Sequence, residues 1–99
     1  MANFYLTSKA SEDLAQIWNY TYDEWSEKQA DKYFQLLLDA CQELANDPTR
    51  GKKYDILIDN IWGYKVGEHI IFYQKISTKE VEVVRILHGM MDLKNKFLP

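Results

Sequence analysis

Apolar and polar positions follow two rhythms along the chain. Ala10, Leu14, Ile17, Trp18, Thr21 and Trp25 recur at steps of four, three, one, three and four, which traces one face of a helix. Thr7-Ser8 supplies an N-cap just before it, and Glu12 and Asp13 sit near its start, where the helix dipole favours acids. A second stripe, Ala30, Tyr33, Phe34, Leu37, Cys41, Leu44 and Ala45, runs for about five turns at ~3.6 residues each. Ser26 with Gln29 three residues on fits a capping box at its start. Asn46-Asp47-Pro48 ends it, because proline cannot continue the hydrogen bonding. The short joint makes the two helices an antiparallel hairpin.

The other rhythm is that of strands. Phe4-Tyr5-Leu6-Thr7 is short, aromatic and β-compatible, and opens the chain as a strand. Residues 61–66, 69–76 and 81–87 follow as three more. Gly67-Glu68 joins the first two as a two-residue hairpin with Gly at the first position, as a type II′ turn requires. The stretch 69–76 is apolar almost throughout, as a central strand is. Ser77 to Glu80 turns the chain into the Val-rich last strand. Residues 49–60 read as a loop holding Arg50-Gly51-Lys52-Lys53 and a short apolar stretch, Ile56-Leu57-Ile58, that docks on the body. Residues 90–98 form a last short helix or an extended tail. The order β-α-α-β-β-β gives an α+β domain: a helical hairpin packed on one face of an antiparallel sheet.

Composition narrows the picture. Ninety-nine residues make one domain, 1–99, at ~100–200 residues per domain. Three Trp, seven Tyr and four Phe provide large rings for a small core. One cysteine, Cys41, excludes an internal disulfide and a multi-cysteine zinc site, and it falls in the second apolar stripe as a buried small hydrophobe. With two histidines, His69 and His88, no metal site is expected. No Gly-rich phosphate loop or nucleophile elbow occurs, so no cofactor is expected either. The sequence has neither a membrane span nor a signal-peptide layout, which points to the cytoplasm. Residues 1–47 carry nine acids and three bases (−6), while 48–99 carry nine bases and six acids (+3). The acidic half repels nucleic acid, and the basic half suits an acidic partner or a phosphate.

Three stretches together resemble the RelE/ParE superfamily, the toxin half of bacterial type II toxin–antitoxin pairs, and its ParE branch above all. They are Ala10-x-x-Asp13-Leu14-x-x-Ile17-x-x-Tyr20-Thr21 with Trp25 and Gln29-Ala30; Leu44-Ala45-x-x-Pro48-x-x-Gly51-Lys52; and His69-Ile70-Ile71-Phe72-Tyr73 followed by Val83 through Asp92. The resemblance runs from about residue 5 to residue 98. It implies a RelE/ParE-like fold, DNA gyrase as the target, and a ParD-like antitoxin as the direct partner. Action by protein–protein contact is implied, with no catalytic residue and no sequence-specific nucleic-acid binding by the toxin alone. Lys65 stands where the family commonly has arginine, and Glu68 where a basic residue is frequent.

Candidate residues follow from that resemblance. The partner-binding set is Lys52, Lys53, Lys65, Arg85, Met90, Met91, Leu93 and Phe97. The RelE branch instead cleaves mRNA on the ribosome, which requires basic groups around a scissile phosphate; Lys65, Arg85 and His88 are the candidates for that alternative. A scaffold that only binds its antitoxin is the third reading. Arg85 also reads as paired with an acid inside the sheet layer, and His69 and His88 as hydrogen-bonded structural residues. Trp18, Tyr20 and Tyr22 read as core and rim packing.

Overall fold

The computed structural model describes residues 1–54 and 60–90. Its elements are β1 (Asn3–Leu6), α1 (Ser8–Glu24), α2 (Glu27–Asn46), β2 (Lys52–Lys53), β3 (Trp62–Val66), β4 (His69–Ser77) and β5 (Glu80–His88), with a 3-10 turn at Pro48–Arg50. The helix starts lie where the capping residues put them. Thr7 accepts from the Ala10 N–H at 3.1 Å, and Ser26 accepts from the Gln29 N–H at 3.1 Å. Asp47 caps the 3-10 turn after α2 through the Thr49 N–H.

The sheet has five strands in the order β1-β5-β4-β3-β2. The β3–β4 and β4–β5 pairings are antiparallel, as expected, and so is β2–β3, but β1 runs parallel to β5, so the sheet is mixed. A parallel pairing needs a long crossover, and here everything between Leu6 and Glu80 provides it. The second departure is β2, which sits inside the stretch read as loop. Lys52 and Lys53 pair with Gly63 and Trp62 and close the far edge. Ile56-Leu57-Ile58 and residues 91–99 lie outside the described residues.

Both helices pack on one face. Leu14 and Ile17 of α1 and Leu37, Cys41 and Leu44 of α2 meet Ile71, Tyr73, Val81, Val83 and Ile86 of the sheet. A second cluster, Ile61, Ile70, Phe72 and Leu87 with Tyr54 and Val84 against it, occupies the other face. β4 therefore carries apolar side chains on both sides, which explains its unbroken apolar run. The buried Tyr73 hydroxyl donates to the Pro48 carbonyl at 2.7 Å and accepts from the Gly51 N–H at 2.9 Å, tying the end of α2 to the sheet. Gly51 leaves room for that ring: a Cβ there would meet the Tyr73 hydroxyl and lie 2.8 Å from the Gly63 carbonyl oxygen. The β3–β4 hairpin is the two-residue turn expected, with Val66 opposite His69 and Gly67 at φ +56°.

Candidate functional site

The site starts from a carboxylate on the apolar stripe of α1. Asp13 lies three residues after Ala10 and four before Ile17, and it is buried with them. It belongs to the second turn, beyond the first-turn groups that a helix dipole acts on, so its role is tertiary and not the dipole pairing expected from sequence. One oxygen accepts from the Arg85 Nε at 2.8 Å and from the Ile86 backbone N–H at 2.9 Å; the other accepts from the second Arg85 nitrogen at 3.0 Å. This two-point clamp is the strong form of the arginine–carboxylate pair. It pushes the Arg85 guanidinium further above its ordinary range.

A register shift prepares this arrangement. Phe72 faces Arg85 and Tyr73 faces Val83, which leaves Val84 as the extra residue of a β-bulge. On the other side β1 has already ended. Thr7 bonds the Val83 carbonyl through its N–H at 3.0 Å and the Val84 carbonyl through its hydroxyl at 2.8 Å, and the chain then turns into α1. Asp13 takes up the next outward backbone group of β5.

Beside this pair runs a groove of about 540 Å³ between α1 and the end of β5. Its helical wall is Asp13, Gln16, Ile17 and Tyr20; the other wall includes Ile86, His88 and Met90. A neighbouring recess of about 510 Å³ shares Tyr20, His69 and His88 with it and reaches Trp25 and Tyr33. The histidine rings meet edge to face with centroids 5.4 Å apart. The Tyr33 hydroxyl donates to the Val66 carbonyl at 3.3 Å, accepts from the Glu68 N–H at 3.1 Å and shares a 2.7 Å hydrogen bond with His69 Nδ1. Burial, and then the neighbouring His88, hold the His69 imidazole below its ordinary value. Burial likewise raises that of the Tyr33 hydroxyl. His88 Nδ1 accepts from the Met90 N–H at 3.0 Å, and its Nε2 lies 3.9 Å from Glu68. Both histidines are thus held in hydrogen bonds, as read from the sequence.

The other sequence candidates spread across the molecule. Lys52 and Lys53 lie on β2, at the opposite edge of the sheet, with ammonium groups 5.5 Å from the Tyr54 ring centre and 5.8 Å from the Trp62 ring centre. Lys65 is exposed on β3 and is not part of the groove. Arg85 and His88 come together in the groove, and Met90 stands almost bare at its mouth. Met91, Leu93 and Phe97 lie outside the described residues. Cys41 is buried as expected, and burial pushes its thiol up to about 12.

The aromatic reading of α1 needs correction. Tyr20 is 64% exposed and Trp25 76%, so neither packs in the core, and Tyr22 is exposed too. Trp25 is the C-cap of α1, past the last helical turn, where the stripe no longer faces the sheet. Trp18 stacks on Tyr22 and donates its indole N–H to Asp31 of α2 at 2.9 Å. Sequence reasoning missed Asp13 as the organising acceptor. A charged residue on an otherwise apolar stripe was its signal.

Among the described residues, no helix is long and apolar enough to cross a membrane. Comparison with known proteins places this geometry in company. Residues 4–93 match the family described as "ParE toxin of type II toxin-antitoxin system, parDE". "Toxin ParE1" of Mycobacterium tuberculosis (strain ATCC 25618 / H37Rv) is 34% identical over 94 residues, spanning 94% of this chain and 96% of that toxin. "Toxin ParE1" of Caulobacter vibrioides is 29% identical over 94 residues, spanning 95% and 96%. A solved structure, "Chromosomal ParDE TA system from P. aeruginosa", superimposes with a TM-score of 0.73 at 18% identity, covering 89% of this chain and 96% of that one. That last likeness is one of fold.

Proposed function

The chain belongs to the ParE toxin family of type II toxin–antitoxin systems, and from that premise we propose that it binds DNA gyrase in the cytoplasm and stalls replication by that contact, until a ParD-like antitoxin covers it. One observation carries the reading. The family match over residues 4–93 takes in α1, β4 and β5, which line the groove.

The groove's chemistry favours binding over catalysis. Arg85, the cation at its wall, is held by two hydrogen bonds to Asp13 and spends its charge inside the fold. Exposed Tyr20 and Trp25 offer the amphipathic rings that dominate protein contacts. The partner-facing set is Lys52, Lys53, Lys65 and Met90, with Met91, Leu93 and Phe97 following in sequence; Arg85 contributes through its hold on Asp13 of α1.

A supercoiling assay with purified gyrase, with and without the antitoxin, tests this. Inhibition that the antitoxin reverses supports the proposal. A folded sample in excess that leaves supercoiling untouched overturns it. Cleavage of mRNA only in the presence of ribosomes would move attention to Lys65, Arg85 and His88, and antitoxin binding without either activity would mark a non-toxic scaffold.

A further inference from the structure

The two edges of the sheet are finished differently. At one edge, β2 is two residues long and carries Lys52 and Lys53, the short and charged ending that discourages further strand pairing. At the other edge, β1 covers only Glu80 to Val83 of β5. Among the described residues, no strand lies beside Arg85 to His88 on that side.

Backbone geometry there is set by Asp13. The Ile86 N–H reaches Asp13 at 2.9 Å and so points away from β4. Ile86 faces Ile71, and His88 faces His69, in the antiparallel register. Residues two apart in such a pair present their backbone groups the same way. The Ile86 carbonyl and the His88 N–H and carbonyl therefore point outward, toward the line that β1 would have followed. They open into the groove beneath the Gln16, Ile17 and Tyr20 face of α1.

We infer that this open half-edge of β5 takes an extended segment of the antitoxin as a sixth strand, laid end to end with β1 and roofed by α1. The inference rests on the toxin–antitoxin reading above and specifies how that partner is held. A helical guest would leave the outward β5 groups without partners, because its own backbone bonds are internal; an extended guest satisfies them. Charge narrows the guest further. With Asp13 paired to Arg85, α1 still carries Glu12, Asp23 and Glu24 against Lys9 alone, a balance of −2, and Glu68 is exposed at the neighbouring recess. A segment of alternating apolar residues flanked by lysine or arginine fits this slot.

The test uses the isotope-labelled full chain, free and in complex with a ParD-type antitoxin. In the complex, NMR should show cross-strand contacts between Ile86–His88 and a continuous run of antitoxin residues. The His88 amide should exchange about tenfold slower or more than in the free chain. Replacing His88→Pro removes the outward N–H and should weaken the complex about tenfold, whereas His88→Ala keeps that N–H and should bind almost as the parent does. A complex in which β5 shows only contacts from a helix overturns the inference. So do cross-strand contacts from residues 91–99 or from a second copy in the free protein. If no complex forms at all, the toxin–antitoxin reading fails, and this inference fails with it.

Discussion

Asp13 and Arg85, 72 positions apart in the chain, hold each other through two hydrogen bonds of 2.8 and 3.0 Å while the same carboxylate accepts the Ile86 N–H. Asp13 thus stands in for a strand where β1 has run out. Replacing Asp13→Ala strips three donors of their acceptor and should cost about 3 kcal/mol in chemical unfolding. Asp13→Asn keeps the shape and should cost less. The partly exposed guanidinium keeps the pair's own coupling near the lower end, about 1.5 kcal/mol in a cycle with Arg85→Met. Additive single variants would refute the clamp.

His69 makes stability depend on pH. Its folded value lies below the ~6.5 of an unfolded chain. Between the two values the unfolded chain binds more protons, so stability rises with pH. The contribution is complete above about pH 6.5 and drains away as pH falls toward the folded value. Tyr33 from α2, Glu68 from the turn, His88 from β5 and Asp13 from α1 all act on the ring. The melting temperature should fall between about pH 7.5 and 5.5. His69→Asn, whose side-chain amide keeps a hydrogen-bonding group for the Tyr33 hydroxyl but does not titrate, should flatten that slope. An unchanged slope would assign it to other groups.

Tyr73 is worth more than its ring. Tyr73→Phe keeps the packing but leaves the Pro48 carbonyl and the Gly51 N–H without their partner. The expected loss is about 1–3 kcal/mol by denaturant titration. Gly51→Ala should be at least as damaging, because its Cβ meets the Tyr73 hydroxyl and the Gly63 carbonyl.

Tyr20 and Trp25 should separate binding from folding. Both are largely exposed, so Tyr20→Ala and Trp25→Ala should move stability by less than about 0.5 kcal/mol. If they anchor a partner, calorimetry should find the antitoxin bound about thirtyfold more weakly, near 2 kcal/mol. Unchanged affinity in both variants would remove these rings from the interface.

Cys41 should be silent to thiol reagents in the native chain. Its thiol is fully buried and titrates at about 12, so thiolate is scarce at neutral pH. Labelling should follow unfolding, and fast labelling of the native protein would contradict the packing.

Local chemistry made the helices legible. Thr7, Ser26 and Asp47 each announce a boundary by their side chains, and the Ala30-to-Ala45 stripe has a single period. The Gly67 turn was equally readable, because few residues adopt a positive φ without strain. The parallel pairing of β1 was not, since four residues carry no sign of which neighbour they will have or in which direction. β2 was hidden for a similar reason: two lysines have no strand pattern, and their pairing is imposed by Gly63 and Trp62. In the site, the arginine–acid pair was foreseen in kind but its acid was not. Asp13 looked like a dipole partner because its distance to Arg85 in space is invisible along the chain.

The parallel pairing of β1 with β5 also sets when this protein can exist. Asn3 waits for Glu80 and Leu6 for Val83, so the first strand made is among the last to be placed. Contacts so far apart in sequence form late, and a chain released before β5 is complete leaves β1 unpaired and Asp13 without Arg85. An interrupted round of synthesis therefore yields a chain that cannot complete its sheet.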